Sequence, residues 1–347
     1  MSIKYYTEVV SPFVQTKVLL HKEKLLDIYD NPIVAPVTCE IDLTDGFCNN
    51  KCQHCFFATA EKSNPIYLDF AVVKELLTEL KKIGTKAIEL SGGGEPTTHP
   101  YISEIIDFAH SIGLEVGLVT NGLLMNKVFG VINKLKYIRI SLDAGSPETY
   151  SVVHGIDSFD TVIENIKRAV ELSESKEIGI GYLILPYNLD DISKAAKIAK
   201  EIGVRFIQYR PASLEYDTDR EIWIRANELV KKTVENYIDD ELQVFDAGIK
   251  WLHMNDDRKY SKCLTSSIVA VVKANGDIPL CVLKRNHNDE IIGNINNGGF
   301  IKSWYSEKHL NLINNINVKL CRKPCKHDSY NIACEAIHDD LYHSNFI

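Results

Sequence analysis

Thr38-Cys-Glu-Ile-Asp-Leu-Thr44 runs directly into Asp45-Gly-Phe-Cys48-Asn-Asn-Lys-Cys52-Gln-His-Cys55. An apolar, β-prone stretch from Val37 to Leu43 therefore delivers a loop carrying three cysteines in Cys-x3-Cys-x2-Cys spacing. Three thiolates can hold three irons of a [4Fe–4S] cluster and leave the fourth iron open to bind and reductively cleave a small molecule. A zinc site is the rival use of such a loop, although paired Cys-x-x-Cys elements are the more usual zinc ligands. Disulfides fit less well, because the cysteines number nine and no signal peptide is evident, which indicates a reducing compartment and a cytoplasmic enzyme.

Working outward from this loop, β-prone runs alternate with helical ones from about residue 37 to 240. The spacing predicts strands at Thr38–Thr44, Lys86–Ser91, Glu115–Thr120, Tyr137–Asp143, Ile178–Leu185 and Arg205–Tyr209. Between them, apolar residues recur at helical spacing over Leu68–Ile83, Tyr101–Ile112, Leu123–Leu135, Asp160–Leu172 and Asp190–Ile202. Six such alternations imply an α/β protein with a parallel sheet, curled into a partial barrel or laid open and doubly wound. In either form, chemistry gathers where the C-terminal ends of strands feed loops. The second strand ends in Ser91-Gly-Gly-Gly-Glu-Pro96, where glycines permit close backbone approach to a ligand and Glu95 could bind an ammonium group. The third ends in Thr120-Asn121-Gly122 and the fourth in Arg139-Ile-Ser-Leu-Asp143.

The cysteine spacing followed in order by these strand-end motifs resembles the radical S-adenosylmethionine (SAM) superfamily over roughly residues 37–210. The resemblance implies a partial (β/α)6 barrel. It implies that Cys48, Cys52 and Cys55 ligate a catalytic [4Fe–4S] cluster whose open iron is chelated by SAM. It also implies that His54 contacts adenine through its backbone, that Gly93, Gly94 and Glu95 form the strip meeting the SAM amino group, and that Ser141 and Asp143 contact the ribose, with Asn121 as a neighbour. Helix capping after the strand is the bland alternative for Ser141 and Asp143. The fifth-strand segment 179–186 departs from the family's Gly-x-Ile-x-Gly-x-x-Glu pattern, so no adenine contact is assigned there. The implied chemistry is one-electron cleavage of SAM to methionine and a 5′-deoxyadenosyl radical that takes hydrogen from an unactivated carbon. A flavodoxin- or ferredoxin-type donor would supply the electron.

After about residue 240 the alternation stops, giving an expected division into an N-terminal extension (1–36), a barrel (37–240) and a cysteine-rich extension (241–347). A β-hairpin is predicted at Ile268–Val272 and Ile278–Leu283, turning at Asn275-Gly276, then a helix near Phe300–Ile313. Cys263 and Cys281, with Cys321 and Cys325 after them, resemble the auxiliary-cluster extensions called SPASM and its shortened twitch form. That resemblance implies one auxiliary [4Fe–4S] cluster on these four cysteines, with zinc as the rival occupant. Cys334 is either an alternative ligand or a buried thiol, and Cys39 is read as core.

A net charge of −8 disfavours a broad nucleic-acid-binding surface, and no apolar run is long enough to span a bilayer. Asp42, Tyr182, Gln208, Arg210 and Glu215 are the candidate substrate contacts. Only about 36 residues precede the barrel, fewer than a peptide-recognition domain of ordinary size, which favours a small polar substrate. The chain as a whole also resembles the queuine salvage lyases, implying carbon–nitrogen cleavage of queuine to preQ1. The alternatives are a twitch-type dehydrogenase of a sugar or aminocyclitol, a peptide-modifying maturase, and a non-catalytic zinc or iron–sulfur protein.

Overall fold

A computed structural model describes residues 15–52, 54, 55, 65–212, 220–246, 257–285, 287–321, 323, 325 and 327–337. Six parallel strands appear in chain order: β1 (Thr38–Asp42), β2 (Ala87–Ser91), β3 (Glu115–Thr120), β4 (Tyr137–Ser141), β5 (Ile178–Ile184) and β6 (Phe206–Pro211). Two further strands, β7 (Gln243–Asp246) and β8 (Val269–Val272), extend the sheet at its edges, giving the order β8-β1-β2-β3-β4-β5-β6-β7. The sheet thus takes strands from both sides of residue 240. Mostly parallel strands with helical crossovers make this an α/β protein of partial-barrel type.

The helices arise where the sequence gives them an apolar stripe and ends to stop at. In α1 (Phe70–Lys82), Val73, Leu76, Leu77 and Leu80 are buried at helical spacing, and the Asp69 carboxylate caps the first turn by accepting from Ala71 N at 2.8 Å and Val72 N at 3.3 Å. The next helices are α2 (Ile102–Ser111), α3 (Pro147–His154), α4 (Phe159–Leu172), α5 (Ile192–Ile202) and α6 (Arg220–Tyr237). The start of α3 is set by Ser146 and Pro147 and its end by Gly155 in the left-handed region.

Two expectations fail here. Leu123–Leu135 forms two short 3₁₀ turns (Met125–Lys127 and Phe129–Lys134) instead of an α-helix, and Gly130 sits inside the second. The predicted hairpin does not form either. Val269–Val272 pairs in parallel with β1, while β9 (Asp277–Pro279) pairs antiparallel with β10 (Ile291–Asn294). The Asn275-Gly276 turn is real, but the apolar run before it is captured by the exposed edge of β1.

Alternation within the strands separates two environments. Cys39, Ile41, Ile88, Leu90, Val116, Leu118, Ile138, Ile140, Ile180 and Ile207 are buried in the core with the crossover helices. The alternate positions, which include Glu40, Glu89, Arg139, Ser141, Gln208 and Arg210, border an interior cavity of about 910 Å³.

Beyond the β8–β1 pairing, side chains also fasten the C-terminal segment to the rest of the molecule. Arg285 forms a buried ion pair from Nη1 to both carboxylate oxygens of Asp42 and donates from Nη2 to Glu40 at 3.0 Å. Trp304, in α7 (Gly299–Trp304), donates from Nε1 to the Val34 carbonyl at 2.8 Å. Glu79 of α1 accepts the Phe300 and Ile301 amides at the start of α7. The predicted helix over Phe300–Ile313 is interrupted at Ser306, which caps α8 (Glu307–Asn314). α9 (Asp328–Glu335) follows. Among the described residues, no helix is long and apolar enough to cross a membrane.

Candidate radical and cofactor site

The glycine strip after β2 is built around the cysteine loop. Gly93 has φ +72°, and a Cβ there would stand 1.9 Å from the Thr44 carbonyl oxygen; at Gly94 it would stand 2.2 Å from that of Phe47. Gly46 N donates to Gly93 O at 3.2 Å and Glu95 N to Phe47 O at 2.8 Å. The strip therefore holds the backbone that leads into Cys48. Gly94 and Glu95 also border the cavity, whereas Gly93 is turned against Thr44.

Glu95 is buried, and its carboxylate accepts four hydrogen bonds: Thr97 N (3.0 Å), Thr97 Oγ1 (2.6 Å), Thr120 Oγ1 (2.6 Å) and Asn121 N (2.7 Å). Burial raises its pKa, and these donors oppose the rise. Its observed work is to clamp the ends of β2 and β3 together. Asn121 extends the clamp by donating from Nδ2 to Asn49 Oδ1 at 2.6 Å, inside the cysteine loop.

Cys48, Cys52 and Cys55 all border the cavity, as do His54, Ser141 and Asp143. Cys48 accepts the Asn50 amide at 3.5 Å. Burial pushes the Cys52 thiol up to about 12, with Asp143 and the other two cysteines adding to the rise. A [4Fe–4S] cluster would need these three thiols deprotonated. Burial also lowers the pKa of His54. Asp143 adopts φ +53°, a left-handed conformation uncommon outside glycine, and its carboxylate accepts Leu183 N at 2.6 Å.

His154 escaped the sequence analysis. It ends α3, is buried, and places Nδ1 3.2 Å from Cys52 Sγ and 3.1 Å from Asn50 Nδ2. Nε2 lies 3.0 Å from the Leu142 carbonyl, which fixes the proton there and leaves Nδ1 as the acceptor. Asp143 Oδ2 is 3.6 Å from the same Nε2. One histidine thus joins the cysteine loop to the end of β4. No spacing marks it, because it lies 102 residues from Cys52.

The four C-terminal cysteines also influence one another. Burial raises Cys281 to about 11 and Cys325 to about 12, and both feel Cys263; Cys321 is raised by burial and by Cys263. Asp328 orders their loop, accepting Cys325 N at 3.0 Å and Arg258 Nε at 3.1 Å. Among the described residues, no three thiols lie within 4.8 Å of one another. Zinc would hold its thiolates about 3.8 Å apart, given Zn–S bonds of about 2.3 Å, whereas a four-iron cluster is larger than one ion. Cys334 is fully buried with Val18, Leu25, Ile28, Val34, Leu264 and Ile268. Cys39 is also core.

Two substrate candidates, Tyr182 and Asp42, need correction. Tyr182 points away from the cavity: it is buried against Tyr209, and its hydroxyl donates to Asn188 O at 2.5 Å. Asp42 is occupied by Arg285. Burial lifts its carboxyl to about 6, leaving the pair ionised at neutral pH. Glu215 lies outside the described residues. Gln208 and Arg210 do border the cavity.

The cysteine loop, the glycine strip and the ends of β2 to β4 all lie within residues 44–209, which match the Radical SAM superfamily. The family uses a [4Fe–4S] cluster and SAM, and Cys48, Cys52 and Cys55 supply a donor set that fits the cluster. Among curated proteins, the chain is similar to the mycofactocin maturase MftC of Mycobacterium tuberculosis, with 23% identity over 293 residues covering 81% of this chain and 73% of that one. It is also similar to a probable GTP 3′,8-cyclase of Saccharolobus islandicus, 26% identical over 252 residues, covering 62% and 79%. Among solved structures it shares its fold with Streptococcus suis SuiB. The SAM-bound form has TM-score 0.67, 19% identity and 82% and 69% coverage; the form bound to precursor peptide SuiA has 0.68, 17%, and 86% and 71%.

Proposed function

We propose that this radical SAM enzyme modifies a peptide and carries a second, auxiliary [4Fe–4S] cluster on Cys263, Cys281, Cys321 and Cys325. The observation that carries the reading is the shared cavity: Cys325 and His327 border the same space as Cys48, Cys52 and Cys55. Bound there, the first cluster and SAM supply the 5′-deoxyadenosyl radical. The chain's own residues hold, orient and shield the reactants. His54, Gly94, Asn121, Ser141 and Asp143 would seat SAM, while Glu95 and His154 keep the loops around it in register.

The peptide class is supported by the relatives, one named as a maturase and another solved with a precursor peptide. It replaces the small-molecule expectation drawn from the short N-terminal extension. The queuine reading finds little support in the cavity wall. It called for carboxylates, Asp42 and Glu215, to read a deazaguanine edge; Asp42 is bound to Arg285, and Glu215 lies outside the described residues.

The test is 5′-deoxyadenosine formation by anaerobically reconstituted, reduced protein with SAM, given either queuine or synthetic peptides that each carry one kind of reactive side chain. A peptide-dependent rise with a mass change in that peptide is expected. A queuine-dependent rise with release of preQ1 would overturn the peptide reading.

A further inference from the structure

Two arginines converge inside the barrel without a carboxylate between them. Arg139 lies on β4, two residues before Ser141, and Arg210 lies near the end of β6. They meet over Gly181 of β5. A Cβ on Gly181 would stand 3.4 Å from Arg139 Cγ and Cδ and 3.5 Å from Arg210 Nη2, ordinary contact distances that place both side chains over this one residue. Both border the cavity, and the Nε of each is buried without a hydrogen-bond partner. Among the described residues, neither forms an ion pair within 4 Å. Arg139 donates from Nη1 to Gln208 Oε1 at 3.1 Å, which leaves the Gln208 amide nitrogen as a further donor.

The neighbouring charge is arranged to match. Arg139 is the largest influence lowering the Arg210 pKa to about 9, ahead of burial, while Asp143, Glu89 and Tyr137 act weakly the other way. Glu89 is itself engaged by the Tyr137 hydroxyl. Glu40, which also borders the cavity, is held by Arg285 at 3.0 Å. Two adjacent guanidinium groups facing a cavity repel each other, and their buried Nε–H groups lack acceptors until an anion arrives. Their planar forks suit a bidentate oxyanion.

We propose that Arg139, Arg210 and Gln208 form a substrate-anchoring subsite that grips a carboxylate of the substrate. Resting on the peptide reading above, this is an acidic side chain or a chain terminus. The pair selects the substrate and sets its reach toward the SAM side of the cavity.

The test uses cluster-reconstituted protein saturated with SAM and needs no identified substrate. N-acetyl-L-glutamate, N-acetyl-L-glutamine amide (the glutamine analogue, which carries no carboxylate) and inorganic phosphate are titrated by calorimetry and by thermal shift. N-acetyl-L-glutamate is expected to bind and raise Tm, with the glutamine analogue at least tenfold weaker. Arg139→Gln and Arg210→Gln should each weaken glutamate binding at least tenfold, Arg210→Lys less so, and SAM affinity should stay within about twofold. Without any anion, the two glutamine variants should melt higher than the parent, because a like-charge contact is removed; an arginine serving only to hold the fold would lower Tm. A lower Tm, unchanged glutamate affinity in the variants, or tighter binding of phosphate than of glutamate would overturn the proposal. A collapse of SAM affinity would do so as well, by assigning the pair to the cofactor. Because the readout is binding, absence of a peptide product would sink the peptide reading alone.

Discussion

The two cysteine sites are built in opposite ways. Cys48, Cys52 and Cys55 come from one loop, and the fold's task is only to dock that loop, through the Gly93–Gly94 strip and His154. The proposed second site draws Cys263, Cys281 and the Cys321/Cys325 loop from three separate stretches, which tertiary packing must bring together: the parallel pairing of β8 with β1, the Arg285 clasp and the Asp328 network. Local assembly with three donors suits a site that keeps one iron open for chemistry. Distributed assembly with four suits a closed site whose integrity depends on the whole C-terminal segment. Damage to the first site should therefore be chemical, and damage to the second should register first as stability.

The largest effect sharpens that contrast. Cys52→Ala should abolish 5′-deoxyadenosine formation and lower bound iron from about eight to about four per chain, with the protein still folded. Cys281→Ala should lower iron equally but leave some SAM cleavage uncoupled from product. Iron analysis beside the deoxyadenosine assay separates the two, and equal loss of SAM cleavage in both variants would break the comparison.

Arg285→Ala tests the joint itself. It leaves Glu40 and Asp42 buried with no guanidinium, at a cost of about 3–5 kcal/mol. Urea denaturation should show that loss, and the auxiliary cluster should be released at lower denaturant than the catalytic one. Co-release at a single midpoint would mean the two sites are one cooperative unit.

Much of this was legible in the sequence, for a physical reason. A strand buried against helices on one face needs branched apolar residues at alternate positions, and Ile88/Leu90, Ile138/Ile140 and Ile180 announce themselves. The interior face was legible too, in Glu89, Arg139 and Gln208 between those apolar residues, but its meaning was not. Alternation says that Arg139 and Arg210 share a face; only the register over Gly181 says that they meet. His154 and the Arg285 clasp were invisible because nothing local marks a partner more than a hundred residues away. The hairpin was misread because turn chemistry at Asn275-Gly276 is local, whereas the choice of partner for Val269–Val272 is made by the open edge of β1.

His309 of α8 supplies a pH test confined to the C-terminal side. It is fully buried, Nδ1 lies 2.6 Å from the Trp304 carbonyl, and burial pushes its pKa down to about 4. The unfolded chain binds the proton near pH 6.5, so the folded state is the poorer proton binder between those values. Its contribution is present above about pH 6.5 and is lost as pH falls toward 4, an order-of-magnitude change of about 3 kcal/mol. Stability measured from pH 7 to 4 should fall less steeply in His309→Gln than in the parent. Identical slopes would remove His309 as the cause.

The smallest effect bears most directly on how the second site is counted. Among the described residues, Cys334 is the C-terminal cysteine buried in the satellite core with Val18, Leu25, Ile28, Val34, Leu264 and Ile268, where its thiol acts as a small apolar group. Cys334→Ala should cost about 1–2 kcal/mol through the small cavity it leaves, with iron content and the cluster spectrum unchanged. Cys325→Ala should do the reverse, losing iron for a modest change in the stability of the cluster-free protein. If iron follows Cys334 instead, the fourth ligand lies in the satellite core. The sulfur that borders the substrate cavity would then be free of the cluster, and the distinction between an open catalytic site and a closed auxiliary one would have to be redrawn around Cys325.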